Sequence, residues 1–148
     1  MRRIPRISSL LALCFVVSLL AACKKSEDSK PPAPGAAAPA FKVTRVDLGT
    51  AVGGDKKVSA PTTSFKPKDT IFASVVSDGA APTVVLAARW TFEDGQLVNE
   101  SSQTIAPNGP ATTEFHISKP DGWPAGKYKV DIAANGQPAG SREFTVSD

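Results

Sequence analysis

The sequence predicts an all-β domain over residues 41–148, an antiparallel two-sheet sandwich of seven or eight strands. Three observations predict it. Apolar residues recur with a period of two, the period of a strand with one buried face. Gly, Pro, Asn and Asp punctuate the chain every eight to twelve residues, the spacing of short strands joined by turns. No stretch of this region carries the 3.6-residue period of an amphipathic helix.

Ahead of the domain the chain is organised differently. Arg2, Arg3 and Arg6 precede an apolar run over residues 10–20, LLALCFVVSLL. This run is too short to span a bilayer as a helix, so residues 1–22 read as a secretory signal. Leu20, Ala21, Ala22 and Cys23 follow, and the chain then turns polar at Lys24-Lys25-Ser26-Glu27-Asp28. The run Leu-Ala-Ala-Cys closely resembles the lipobox of bacterial lipoproteins. That resemblance implies cleavage before Cys23, a diacylglyceryl group on its thiol and an acyl chain on its amine. The implied partner is a membrane, held through lipid. One acyl chain anchors only marginally, whereas three make release negligible. Lys24 stands where an Asp commonly retains enteric lipoproteins in the inner membrane, so the resemblance favours the outer membrane, with the domain facing the periplasm.

Residues 23–40 form the second segment, the candidate lipidated cysteine and a tether. Pro31, Pro32, Pro34 and Pro39 lie among Ala, Gly and Ser, without hydrophobic period. A Pro-rich chain of this length reaches about 50 Å at ~3.1 Å per residue. Charge follows the same division. The whole chain carries 17 basic and 14 acidic residues, but without residues 1–22 the two are equal at 14 each. A neutral domain has no electrostatic footprint for nucleic acid. Cys14 lies in the signal and Cys23 is the lipidation candidate, so the domain has no thiol for a disulfide.

Within the domain, residues 41–48 read as a strand whose apolar phase slips near Arg45, as at a bulge. Residues 49–65 are the least regular, with a short extra strand expected over 56–59, paired back onto residues 46–48 across Gly53-Gly54. Residues 70–77 form a strand between Pro67 and Gly79. Val84, Leu86, Ala88, Trp90 and Phe92 give the next one a continuous apolar face, with Trp90 at its centre. Glu93-Asp94-Gly95-Gln96 is a hairpin turn, because Gly accepts positive φ, and residues 97–105 return. Residues 112–118 carry Phe115 and Ile117 on one face. Tyr128, Val130 and Ile132 point inward from residues 126–132, Asn135-Gly136 turns the chain, and residues 142–146 close with Phe144 and Val146.

The run Gly126-Lys127-Tyr128-Lys129-Val130 resembles the start of strand F in immunoglobulin-like and fibronectin-like domains. There the tyrosine hydroxyl bonds backward to the main chain, a tyrosine corner. The resemblance implies an immunoglobulin-like sandwich of the cysteine-free kind.

Chemistry is sparse. Gly49 to Gly54 has the glycine spacing of a phosphate loop, but Asp55 stands where Lys is required and no helix follows. His116 is the single histidine, beside inward-facing Phe115 and Ile117, so it reads as a surface residue with no metal set around it. Glu93 and Asp94 read as solvated turn formers. Asn99-Glu100-Ser101 matches a glycosylation sequon that a bacterial lipoprotein would not use in most species. Trp123, between Gly122 and Pro124, either caps one end of the sandwich or stands exposed as a binding aromatic. The sequence therefore predicts no catalytic residue, no metal and no small-molecule cofactor. It points to a non-enzymatic domain, lipid-anchored at Cys23, binding a protein or polymer of the envelope; the alternative is an inhibitor or accessory factor of a periplasmic enzyme.

Overall fold

A strand with one apolar face must bury it against a second layer. The computed structural model, which describes residues 40–148, has that layer. Its strands are β1 (Lys42–Gly49), β2 (Ser64–Phe65), β3 (Ile71–Asp78), β4 (Val84–Phe92), β5 (Gln96–Ile105), β6 (Ala111–Ile117), β7 (Gly126–Ala134) and β8 (Gln137–Val146). They form a three-stranded sheet, β1-β3-β6, and a five-stranded sheet, β2-β8-β7-β4-β5. Every pairing is antiparallel except that of β2 with β8. No helix occurs among the described residues. The all-β sandwich expected from the sequence is the observed fold. The signal segment, Leu20, Ala21, Ala22, Cys23 and the tether up to residue 39 lie outside the described residues.

The core is built from the inward positions of both sheets. Val46, Leu48, Ile71, Ala73 and Val75 face Leu86, Trp90, Val130, Ile132 and Phe144, all buried. At one end the aromatic rings gather: Phe144 stacks on Tyr128 at 5.2 Å and meets Trp90 and Phe65 edge-on at 5.9 and 5.4 Å. Edge-on and offset contacts of this kind add to the area that the rings bury.

The turns follow local chemistry. Asn135 and Gly136 both take positive φ, 51° and 77°, in the two-residue link of β7 to β8, the primed turn that matches strand twist. The β4–β5 link is a three-residue turn over Glu93, Asp94 and Gly95, since Phe92 pairs with Gln96. The bulge expected near Arg45 is present as a register shift between Val43 and Arg45.

Residues 49–65 depart from expectation. No strand forms over 56–59 and nothing there pairs with residues 46–48. Instead Val52 and Val58 make a single antiparallel bridge, closed by Gly53 N–H to Lys57 O and Lys56 N–H to Gly53 O, both at 2.9 Å. The physical reason is that the free edge of β1 is already used. Val46 O accepts from Arg142 Nε at 2.8 Å, and Leu48 O accepts from Thr62 N at 2.8 Å. The first bond ties β1 to β8 and the second ties it to the residues just before β2. Strand β2, too short to show a period, lies along the last residues of β8, and β8 itself begins five residues earlier than expected, at Gln137.

Candidate functional site

Two regions of the sandwich gather polar chemistry: the end around Trp123 and the outer face of the five-stranded sheet. At the end, Tyr128 lies two residues into β7 and is 3% exposed, and its hydroxyl donates to Pro124 O at 2.8 Å. This is the backward bond expected of a tyrosine corner. Trp123 is a cap. The residue is 7% exposed, its indole Nε1 donates to Asp69 O at 3.1 Å, and its amide donates to Pro67 O at 2.6 Å. The binding role considered for an exposed Trp123 thus loses its premise, because the ring is packed against Tyr128 and tied to the loop before β3.

Burial raises the Tyr128 hydroxyl above its ordinary pKa of 10.0, and the Glu93 charge adds to the shift. The neutral phenol is therefore favoured in the fold. Its stabilisation is complete below the unfolded value and is lost as pH rises through the higher, folded one, because the unfolded chain ionises first. Tyr128 is the only tyrosine, so tyrosinate absorbance reads this group alone. We expect a midpoint above that of the denatured chain, and a smaller high-pH loss of stability in Tyr128→Phe, the remainder including that of Lys129, whose pKa is also raised. At neutral pH that variant should lose about 1 kcal/mol, the net worth of one hydrogen bond, in a denaturant titration. A midpoint equal to that of the denatured chain would contradict the burial.

The outer face of the five-stranded sheet carries the larger feature. Strand register sets Glu143, Lys129 and Thr91 in one row and Ser141, Asp131, Arg89 and Glu100 in the next. Of these, Glu143, Lys129, Thr91, Asp131 and Arg89, together with Lys127 and the Glu93–Gly95 turn, line an open groove of about 700 Å³. One ion pair lies in it, Lys129 Nζ to Asp131 Oδ1 at 2.8 Å, which with its hydrogen bond raises the lysine pKa. Glu93 shapes one end. It takes φ of 45°, its amide donates to Lys127 O, and its carboxylate accepts from Lys127 N at 3.0 Å. That carboxylate is thus held by the main chain of β7, as a turn former and not as half of an acid–base pair. Arg89, Lys127 and Glu143 make no ion pair among the described residues, leaving their charges open to a partner.

The opposite face is self-paired. Arg45 binds Asp47 and His116 binds Glu114, each at 2.7 Å and each between neighbours on one side of a strand. His116 is exposed on β6 with its ring against Phe72. Among the described residues no three of His, Cys, Asp and Glu come together as metal ligands. The groove is a surface that can bind by charge and hydrogen bonding. Its charges were visible in the sequence only as outward strand residues; nothing local marked them as one site.

The strand order defines the class. One sheet holds β1, β3 and β6, the other holds β4, β7 and β8 with β5 and the short β2 added at its edges, and the tyrosine corner opens β7; this is an immunoglobulin-like sandwich. No family model matches the chain, and no curated protein matches its sequence. Solved structures do resemble it. A β-glucosidase from Erythrobacter marinus aligns with a TM-score of 0.50 and 10% identity, over 73% of this chain and 15% of that one. An immunoglobulin-like protein from Pseudomonas aeruginosa aligns at 0.48 and 10% identity, over 74% of this chain and 98% of its own. An alkylpurine DNA glycosylase from Pseudomonas fluorescens aligns at 0.45 and 14% identity, over 73% of this chain and 30% of that one. The chain thus spans less than a third of either enzyme. At these identities the likeness is one of fold.

Proposed function

We propose that this chain is a lipid-anchored lipoprotein of a bacterial envelope, held at the outer membrane through Cys23. Its immunoglobulin-like domain faces the periplasm as a non-catalytic binding module. The observation that carries the anchoring is Leu20-Ala21-Ala22-Cys23 placed directly after a basic and an apolar segment. The binding surface in this reading is the groove on the five-stranded sheet, where Arg89, Lys127 and Glu143 offer charges without ion-pair partners among the described residues. A partner protein or envelope polymer of mixed charge suits it, since cations and carboxylates alternate there.

Replacing Cys23 tests the anchor. Only a cysteine thiol can take the diacylglyceryl group, so Cys23→Ser should abolish acyl labelling and release the protein from the membrane fraction or leave it uncleaved. Acyl labelling and membrane retention unchanged in that variant would refute the lipoprotein reading. A photo-reactive residue at Arg89 or Lys127, compared with one at Thr44 on the other sheet, tests the surface. Capture from the groove positions alone is the expected result; equal capture from Thr44 would overturn the assignment. If the captured partner is an enzyme that the domain slows, the protein is an inhibitor.

A further inference from the structure

Strand β5 is an edge of the five-stranded sheet, ten residues long, with one side of its backbone bonded to β4. Its other side has no backbone partner among the described residues. Natural edges are guarded by shortness, by Lys or Pro, or by covering elements. The other edges here are so guarded: β2 is two residues long, β1 is tied by Arg142 to Val46 O, and Gln103 Nε2 donates across to Glu114 O on β6 at 2.6 Å. Strand β5 carries no Lys and no Pro, and Glu100 is its single charge. Its bulge, where the register shifts opposite Trp90 and Thr91, lies towards the Leu97 end and leaves the stretch from Asn99 onward regular.

The sequence of that stretch is self-complementary. In antiparallel pairing with a second copy, opposed residues must lie on the same face, which excludes every odd shift of register. Among the even ones, centring on Glu100 sets two carboxylates against each other, and centring on Ser102 sets Asn99 against Ile105. Centring on Ser101 opposes no two charges and no polar residue to an apolar one: Ser101 meets Ser101, Glu100 meets Ser102, and Asn99 meets Gln103, whose amide nitrogen stays with Glu114 O while its amide oxygen is free to accept. We propose that β5 is a homotypic pairing edge, joining two copies of this chain into one continuous antiparallel sheet about a twofold axis at Ser101.

Five paired residues on each strand make a small contact beside a standard interface, so pairing is expected where copies are concentrated, and trapping suits it better than sizing. Ser101 lies at the axis, within disulfide reach of its counterpart. Two copies of Asn99, or of Gln103, would be about 14 Å apart along the strands at ~3.4 Å per residue, beyond that reach.

The test is mild oxidation of the full chain in membranes, with the parent chain as the control for Cys14 and Cys23. We expect Ser101→Cys to form a covalent dimer. Asn99→Cys and Gln103→Cys should each stay at the parent level alone but form a heterodimer when co-expressed. This mixed pair keeps the test independent of any folding defect in Ser101→Cys. Adding Ser102→Glu to Ser101→Cys sets like charges opposite each other and should return the yield to the parent level. Further adding Glu100→Lys sets opposite charges at both positions and should restore it. Folded Ser101→Cys chains that give no dimer above the parent, together with no mixed-pair product, would overturn the proposal. Equal yields from all three single-cysteine chains would also overturn it, since that pattern means random collision.

Discussion

Trp90→Ala should destabilise the domain by about 3–5 kcal/mol, the usual loss on truncating a buried large aromatic. Trp90 is 0% exposed on the inner face of β4, with Phe144 edge-on to it and Val130 its register partner on β7. Alanine would leave a void between two sheets that cannot close over it without shifting both. One feature of the site opposes the loss: the indole Nε1 is buried with no hydrogen-bond partner among the described residues. An orphaned donor costs about 1–3 kcal/mol, so Trp90→Phe, which removes it and keeps a ring, should lose far less than Trp90→Ala. Trp123→Ala should also lose less than Trp90→Ala, because Trp123 covers an end, although its bond to Asp69 O goes with it. Urea midpoints at unchanged slope check the order. Equal losses at Trp90 and Trp123 would mean that the centre of the core lies elsewhere.

Much of this fold could be read before the structure, for a reason visible in β4 and β7. Both strands are covered on one face and solvated on the other, so selection for burial writes a strict alternation into them: Val84, Leu86, Ala88, Trp90 in one, Tyr128, Val130, Ile132 in the other. Where burial is not alternating, the reading failed. Strand β2 has two residues and takes its position from β8. The first half of β8 holds Pro138 and Gly140, which argue against a strand when read locally. Pro138 is tolerated because it lies beside the register shift of β7 between Ile132 and Ala133, at a stretch of β8 that β2 does not cover.

The site was harder to read than the fold. Tyr128 could be placed because the tyrosine corner is local, spanning Pro124 to Tyr128. The state of Trp123 could not, because its partners Pro67 and Asp69 are more than fifty residues away in the chain. The groove has the same difficulty. Arg89, Lys129 and Glu143 become neighbours only when β8, β7 and β4 pair in that order, and each alone is an ordinary solvated strand residue. A binding surface made of outward residues from three strands leaves no sequence period of its own.

Gly126→Ala should be nearly as damaging as loss of the central tryptophan, and by a different mechanism. Gly126 begins β7 with φ of 152°, a backbone conformation that a side chain disfavours. An added Cβ would strike Glu93 Oε1 and approach Phe92 Cε2 to 2.6 Å. The Glu93 carboxylate, the far end of an exposed side chain, can move by giving up one hydrogen bond, whereas the Phe92 ring has less room. Glu93 is held by Lys127 N, and the Phe92 ring lies 4.7 Å from Tyr128 in the aromatic cluster. Overpacking of this kind costs about 1–3 kcal/mol, and the disfavoured backbone adds about 1–3 kcal/mol. The glycine two residues before the tyrosine is thus a steric requirement of the corner: the β4–β5 turn packs directly onto the start of β7. Glu93→Ala tests the attribution. It removes the carboxylate that the new Cβ would strike, so in that background Gly126→Ala should lose clearly less stability than in the parent chain, a non-additivity read by a double-mutant cycle. Strict additivity would place the damage in the backbone and the Phe92 contact, not in Glu93.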